Sequence, residues 1–137
     1  MHAKTKTPEQ KKIYQVAGEL LTLIDPEYAA GGHWVLQAHA MDSGSKVNKH
    51  TDDEDISFQY GVILGDFTGG ELLTWSSDGE PHPPLPVSGR VVKLDGRLPH
   101  QVTPVTSGVR YSLYFYKLFD PTIAEAHPVM EPAVIVA

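Results

Sequence analysis

Lys49–Asp55 reads KHTDDED, one histidine and four carboxylates in seven residues. Two readings are open. Runs of Asp and Glu usually form a solvated acidic turn, and H-x-D arises in any such turn. The other reading takes His50 and Asp52 as metal ligands. On an extended backbone, side chains at i and i+2 point to the same side, so an imidazole and a carboxylate can converge on one ion. His100, fifty residues downstream, offers a third ligand from a different strand, as a barrel topology would require. Two histidines and one carboxylate on one face of an octahedral ion leave three positions open. That set suits non-haem Fe(II), with room for a chelating cosubstrate and dioxygen. His2, His33, His82 and His127 fall in terminal or loop settings, and nothing marks them as more than surface residues.

The segment VRYSLYFYKL, residues 109–118, carries an independent signal. As a strand it places Arg110, Ser112, Tyr114 and Tyr116 on one face and Val109, Tyr111, Leu113 and Phe115 on the other. A guanidinium within such an aromatic strand is costly to bury without an anion. No acidic residue lies within the strand. Arg110 with the Ser112 hydroxyl facing the same way makes a good clamp for a ligand carboxylate. Pairing of Arg110 with a distant Asp or Glu, or exposure on a sheet edge, are the competing readings.

The elements that must position these residues follow from composition and pattern. The chain has 137 residues, which fits one domain (residues 1–137, core 34–118) with one core. A hydrophobic fraction of 41% and a charged fraction of 20% are those of an ordinary globular protein. The net charge of −6 is unhelpful for wrapping a phosphate backbone. Lys4, Lys6, Lys11 and Lys12 form the one obvious basic cluster, so tight duplex DNA binding is not expected. There is no cysteine, which excludes disulfides, thiolate zinc sites, iron–sulfur clusters and cysteine nucleophiles. The N-terminal stretch has no apolar h-region and no apolar run approaches a membrane span, so a soluble intracellular protein is the default expectation.

Thr7-Pro8-Glu9-Gln10 predicts a helix start, with Thr7 as N-cap and Gln10 closing the capping box. Ile13, Val16, Ala17, Leu20, Leu21 and Ile24 then predict an amphipathic helix that packs on the domain core and ends before Pro26. After Gly31-Gly32 the pattern changes to period two or short apolar runs. Strands are predicted at Trp34–Met41, Ile56–Leu64, Glu71–Trp75, Arg90–Leu94, Gln101–Val105 and Val109–Leu118. Turns are predicted at Asp42–Ser45, Thr68–Gly70, Ser76–Gly79 and Thr106–Gly108. Short strands at this spacing after one helix imply an antiparallel barrel or sandwich. Pro81–Pro86 reads as a stiffened loop, and the Pro-interrupted tail from Asp120 ends in AVIVA, which the pattern does not place.

An ordered set of motifs then resembles a known superfamily. HTD (His50–Asp52), FTGGELLTW (Phe67–Trp75), SGRVVKLDG (Ser88–Gly96), Pro99-His100 and PVTSGVRYS (Pro104–Ser112) follow one another as in the 2-oxoglutarate- and Fe(II)-dependent oxygenases. The resemblance covers residues 34 to 118. It implies a mainly β fold, a double-stranded β-helix (jelly roll) with one N-terminal packing helix. It also implies that His50, Asp52 and His100 hold Fe(II), and that Arg110 and Ser112 bind the distal carboxylate of 2-oxoglutarate. Dioxygen is then the second cosubstrate, and a C–H bond of a protein side chain, modified nucleobase or small molecule is hydroxylated with succinate and CO2 as co-products. Gln37 and His39 share a face of the strand before H-x-D, where relatives often touch the cosubstrate with a polar residue. Many relatives carry more helices and longer covering segments, so a partner or second copy is a candidate to complete the substrate site. Two other classes are weighed: a non-catalytic jelly-roll binding or sensor module that keeps the same site, and a cupin-like hydrolase or isomerase. The usual three-histidine set of the latter is not apparent.

Overall fold

A computed structural model describes residues 7–118 and 126–137 of the chain. Helix α1 (Pro8–Ile24) begins with the expected capping box: the Gln10 N–H donates to Thr7 Oγ1 at 3.1 Å, and the Thr7 N–H donates to Gln10 Oε1 at 2.9 Å. The helix ends at Asp25, where Pro26 cannot supply the next N–H. Asp25 then caps a short helix α2 (Pro26–Ala30), which the pattern does not predict, by accepting from the Tyr28 N–H at 2.9 Å.

The buried stripe of α1 is narrower than its apolar periodicity predicts. Ala17 and Leu21 are buried, with Leu20 and Ile24 packed beside them, but Ile13 and Val16 are 53% and 54% exposed. At that end of the helix Tyr14, stacked on Trp34 with ring centroids 4.9 Å apart, makes the contact to the sheet.

Ten strands follow among the described residues: β1 Trp34–Met41, β2 Val47–His50, β3 Gln59–Leu64, β4 Phe67–Gly69, β5 Leu72–Thr74, β6 Arg90–Leu94, β7 His100–Val102, β8 Val105–Gly108, β9 Arg110–Lys117 and β10 Val134–Ile135. They form a five-stranded sheet in the order β1-β9-β3-β6-β10, a three-stranded sheet β2-β7-β5 and a two-stranded ribbon β4-β8. The named pairings are antiparallel. One apolar cluster lies between the sheets, combining Met41, Ile63 and Val92 of the larger sheet with Leu72, Val102 and Val105 of the smaller ones. A second lies on the outer face of the large sheet, where Tyr60, Val62 and Phe115 pack against Ala17, Leu21 and Tyr28. This is the jelly-roll plan with an N-terminal packing helix.

The sequence pattern and the structure differ at several strands. Residues 56–58 precede β3 rather than belonging to it, the predicted strand at 71–75 shortens to β5, and that at 101–105 divides between β7, which begins one residue earlier at His100, and the start of β8. The Thr68–Gly70 and Thr106–Gly108 segments, predicted as turns, contribute most of β4 and β8. Polar contacts across the ribbon support that pairing: Thr68 Oγ1 lies 2.6 Å from both Thr106 Oγ1 and Ser107 Oγ. The AVIVA tail adds an edge strand to the large sheet, with Val134 opposite Lys93 and Ile135 opposite Val92. Residues 119–125, the start of the Pro-interrupted tail, and Lys4, Lys6 and His2 lie outside the described residues.

Candidate metal centre and anion clamp

His50 closes β2 and His100 opens β7, and the two residues are paired across the antiparallel ladder. Their rings stand 4.3 Å apart between centroids. Asp52 is not on the strand. It sits two residues beyond β2, in the segment before β3, anchored by its N–H donating to the Gly96 carbonyl at 2.7 Å. The i, i+2 pair of His50 and Asp52 therefore straddles the end of β2, and the chain turns only beyond it, at residues 53–54. Asp52 Oδ1 lies 3.4 Å from His50 Nε2, and Asp52 Oδ2 lies 3.3 Å from His100 Nε2. One ligand atom from each of the three residues falls within 4.8 Å of the others. Among the described residues this is the one such group of three or more His, Asp or Glu side chains.

The outer nitrogens settle how the rings present themselves. His50 Nδ1 lies 2.7 Å from the Asn48 carbonyl, and His100 Nδ1 lies 2.9 Å from the Leu98 carbonyl. A carbonyl only accepts, so in each ring Nδ1 carries the proton. In the neutral ring Nε2 then keeps its lone pair and faces the partner ligands, the arrangement found in metal-binding histidines. Burial alone would raise the Asp52 pKa, but hydrogen bonding to His100, then to Gln59, together with the nearby histidines, brings it below the ordinary carboxylate value. Burial would likewise depress His100, and Asp52 with the Leu98 carbonyl more than reverses it. Asp55 is pushed up to about 7, by burial first and then by the charges of Asp52 and Asp95.

Arg110 and Ser112 lie on β9 with their side chains toward the same cavity, of about 450 Å³, that His50, Asp52 and His100 line. Arg110 is 0% exposed and Ser112 2%. Among the described residues neither competing reading for Arg110 holds: it is not on an exposed edge, and no carboxylate there pairs with it. Its Nε donates to the Gly70 carbonyl at 3.0 Å, Nη1 lies 3.9 Å from Met41 Sδ, and Nη2 lies 3.5 Å from the Tyr114 hydroxyl. These contacts fix the fork without neutralising it. Ser112 Oγ is buried with no hydrogen-bond partner. A buried cation without an anion and a buried hydroxyl without a partner each carry a desolvation penalty. A ligand carboxylate within reach of both relieves the two penalties together.

The neighbouring strand completes this wall. In the β1–β9 register Gln37 faces Tyr114, His39 faces Ser112 and Met41 faces Arg110, and all six line the cavity. The face assignment of Gln37 and His39 made from the period-two pattern therefore agrees with the structure. The cavity also has a gradient of exposure. The side chains of His50 and Asp52 are 39% and 35% exposed, whereas the Arg110–Ser112 end is closed.

Sequence pattern alone gives Gln59, Asp55 and Gly96 no role in the site, yet these lie against the ligand set, and Asp55 is buried rather than part of a solvated turn. Gln59 opens β3 on the inward register shared with Gly61 and Ile63, and its position as a polar residue in an otherwise apolar strand is the one available signal. His82 and His127, read as surface residues, are more engaged than that. His82 Nε2 is buried without a partner, and His127 Nδ1 lies 2.9 Å from Ser57 Oγ.

No protein-family profile and no curated protein matches the sequence. Solved structures do match. An oxidoreductase of the 2OG-Fe(II) oxygenase family from Burkholderia pseudomallei aligns with a TM-score of 0.65 and 22% identity, over 83% of this chain and 58% of its own. A prolyl-4-hydroxylase from Pseudomonas putida aligns with a TM-score of 0.54 and 24% identity, over 86% of this chain and 72% of its own. The chain thus spans a little over half the length of the Burkholderia protein. At these identities the likeness establishes the fold, the jelly roll these enzymes use. No helix among the described residues is long and apolar enough to cross a membrane.

Proposed function

We propose that this chain is an Fe(II)- and 2-oxoglutarate-dependent dioxygenase in which residues 1–137 form a single oxygenase-like domain. The observation that carries the reading is that the unpaired Arg110 and the unpartnered Ser112 hydroxyl share one cavity with the convergent His50, Asp52 and His100. A metal site alone would fit many functions. A metal site beside a buried carboxylate clamp fits a chelating dicarboxylate cosubstrate.

The donor set fits Fe(II): two imidazole nitrogens and a carboxylate suit a divalent first-row ion and leave positions open for other ligands. When bound, the iron with 2-oxoglutarate and dioxygen supplies oxidative decarboxylation coupled to hydroxylation of a C–H bond, giving succinate and CO2. The chain's own residues do the rest. The Asn48 and Leu98 carbonyls hold the tautomer and orientation of the two imidazoles. Arg110 and Ser112 bind the distal carboxylate at the closed end of the cavity. The other end of 2-oxoglutarate is thereby directed toward the more open His50–Asp52 side. Gln37, His39 and Tyr114 form the polar wall beside it, while Met41, Leu72, Leu94 and Val102 keep the floor apolar and restrict water. The primary substrate enters from the side bounded by Asp53 and Glu54, which line the same cavity and are exposed.

The test uses purified protein with Fe(II), ascorbate and 2-oxoglutarate, followed by succinate formation. Mass spectrometry after incubation with peptide, nucleic-acid and metabolite pools then identifies a product heavier by the mass of one oxygen atom. Succinate production with a hydroxylated product supports the dioxygenase. Tight binding of metal and 2-oxoglutarate with no succinate from any pool supports the binding or sensor module instead.

A further inference from the structure

We infer that Gln59 is a positioning residue that fixes Asp52 as a one-oxygen metal ligand. The inference rests on the metal-centre reading of His50, Asp52 and His100. Gln59 is 5% exposed, and its Nε2 donates to Asp52 Oδ2 at 3.2 Å and, more weakly, to Asp55 Oδ2 at 3.4 Å. The ionised Asp52 carboxylate facing that end of the amide requires the nitrogen there, since a carbonyl oxygen would be repelled by it. With two N–H groups, the amide can serve both acceptors at once.

The consequence concerns which oxygen of Asp52 remains a good ligand. A carboxylate that offers both oxygens to one ion occupies two positions and leaves fewer open for cosubstrate and dioxygen. Donation from Gln59 draws electron density from Oδ2 and ties it to the protein. Oδ1, on the His50 side at 3.4 Å from Nε2, is left as the more basic donor. Carboxylate ligands are oriented in this way by neighbouring hydrogen bonds, and loss of such a bond typically costs about 10- to 100-fold in metal affinity.

Gly96 holds the arrangement from behind. Its carbonyl accepts the Asp52 N–H, and a Cβ at this position would collide with Gln59 Nε2 and stand 2.5 Å from Asp52 Oδ2. The residue after Asp95 on the β6–β7 connection is therefore bare because the Gln59 amide and the Asp52 carboxylate occupy the space a methyl group would need. Two substitutions follow: Gln59→Met removes the donor at similar length, and Gln59→Asn withdraws the same amide by one methylene.

The experiment measures Mn(II) affinity by electron paramagnetic resonance and the visible spectrum of the Co(II)-loaded protein, with a thermal melt of each metal-free variant. The expected result is Mn(II) binding weakened about 10- to 100-fold in both variants, with a Co(II) spectrum that changes in band position and intensity as coordination number changes. Should Gln59→Met fail to fold, Gln59→Asn carries the comparison. If wild type binds Mn(II) and a folded variant keeps its affinity and Co(II) spectrum, the role of Gln59 is overturned while the metal centre stands. If wild type binds no Mn(II), the metal centre itself fails.

Discussion

Arg110 Nε donates to the Gly70 carbonyl at 3.0 Å, and Gly70 is also the residue whose missing side chain makes room for Arg110. A Cβ at position 70 would lie 2.8 Å from Arg110 Cδ, and the backbone there has φ +57°. The second glycine of the Gly69-Gly70 pair thus does two things: it adopts the left-handed backbone conformation, and it leaves room for the guanidinium stem beside the link between β4 and β5. Gly70→Ala is expected to weaken 2-oxoglutarate binding by displacing Arg110, and to destabilise the fold by about 1 kcal/mol or more through the backbone term. Calorimetric titration of 2-oxoglutarate into the Mn(II)-loaded variant, with a denaturant melt alongside, checks both.

Replacing the guanidinium itself separates the clamp from the metal. Arg110→Ala is expected to keep Mn(II) affinity and lose 2-oxoglutarate affinity by about 10- to 150-fold, the equivalent of a charge-assisted hydrogen bond worth roughly 1.5–3 kcal/mol. Arg110→Lys should recover part of this, because the charge survives and the planar fork does not. Wild-type 2-oxoglutarate turnover in Arg110→Ala would place the clamp elsewhere.

Removing a metal ligand gives the complementary pattern. Asp52→Ala and His100→Ala are each expected to weaken Mn(II) binding by more than the roughly 10- to 100-fold typical of losing a hydrogen bond to a ligand. Elemental analysis after dialysis and calorimetry provide the measurement. Unchanged metal content in both variants would remove the assignment.

What was legible in the sequence is what a period of two can fix. β1 and β6 fall where the apolar pattern predicts them, and the inward face of β9 carries Arg110 and Ser112 as alternation requires. The capping box at Thr7 was equally plain, because its partners lie three residues apart. The elements that escaped have no apolar alternation. β2 is VNKH, and β4 with β8 is built largely of Thr, Ser and Gly, so backbone pairing and hydroxyl contacts form them rather than burial of a face. Gln59 escaped for a different reason. Its partner Asp52 lies seven residues away across an irregular turn, and Gly96, which confines both, comes from another strand connection. Such three-body packing has no sequence period.

The electrostatic expectation about nucleic acid extends to the structure. Lys11 and Lys12 are exposed on the first turns of α1, and the cavity side carries the exposed Asp53 and Glu54. Duplex DNA is expected to bind weakly and with strong salt dependence, with a Kd in the roughly 10⁻⁴–10⁻⁶ M non-specific range or weaker. An enzyme that extrudes a nucleotide into its cavity can act despite weak binding. Fluorescence anisotropy with methylated and plain duplexes at physiological salt is the check. Nanomolar, methylation-dependent affinity would overturn the expectation and point to a nucleobase substrate.

Asp95 offers a stability prediction with a definite pH sign. Its buried carboxylate receives Arg97 Nε at 2.8 Å and Nη2 at 2.7 Å, and also the Met130 N–H at 3.0 Å. Arg97 in turn donates from Nη1 to the His127 carbonyl at 2.8 Å, so the pair ties residues 127–130 to the β6–β7 connection. Burial would raise the Asp95 pKa, but Arg97 and the Met130 N–H outweigh it and the net shift is downward. A carboxyl depressed on folding contributes stability that is fully present above its unfolded value, about 3.9, and is lost as pH falls through the lower folded value. Asp95→Asn is therefore expected to destabilise the protein at pH 7 by roughly 1.5–3 kcal/mol, the range for hydrogen bonds to a charged group. The gap to wild type should shrink below about pH 4, as the wild-type carboxyl itself takes up a proton, and it is also narrower near pH 7 than near pH 5 because Asp95→Asn relieves the ionised Asp55. Urea melts of the metal-free proteins between pH 2 and 5 measure the acid limb, and a gap that widens as pH falls below 4 would refute the assignment.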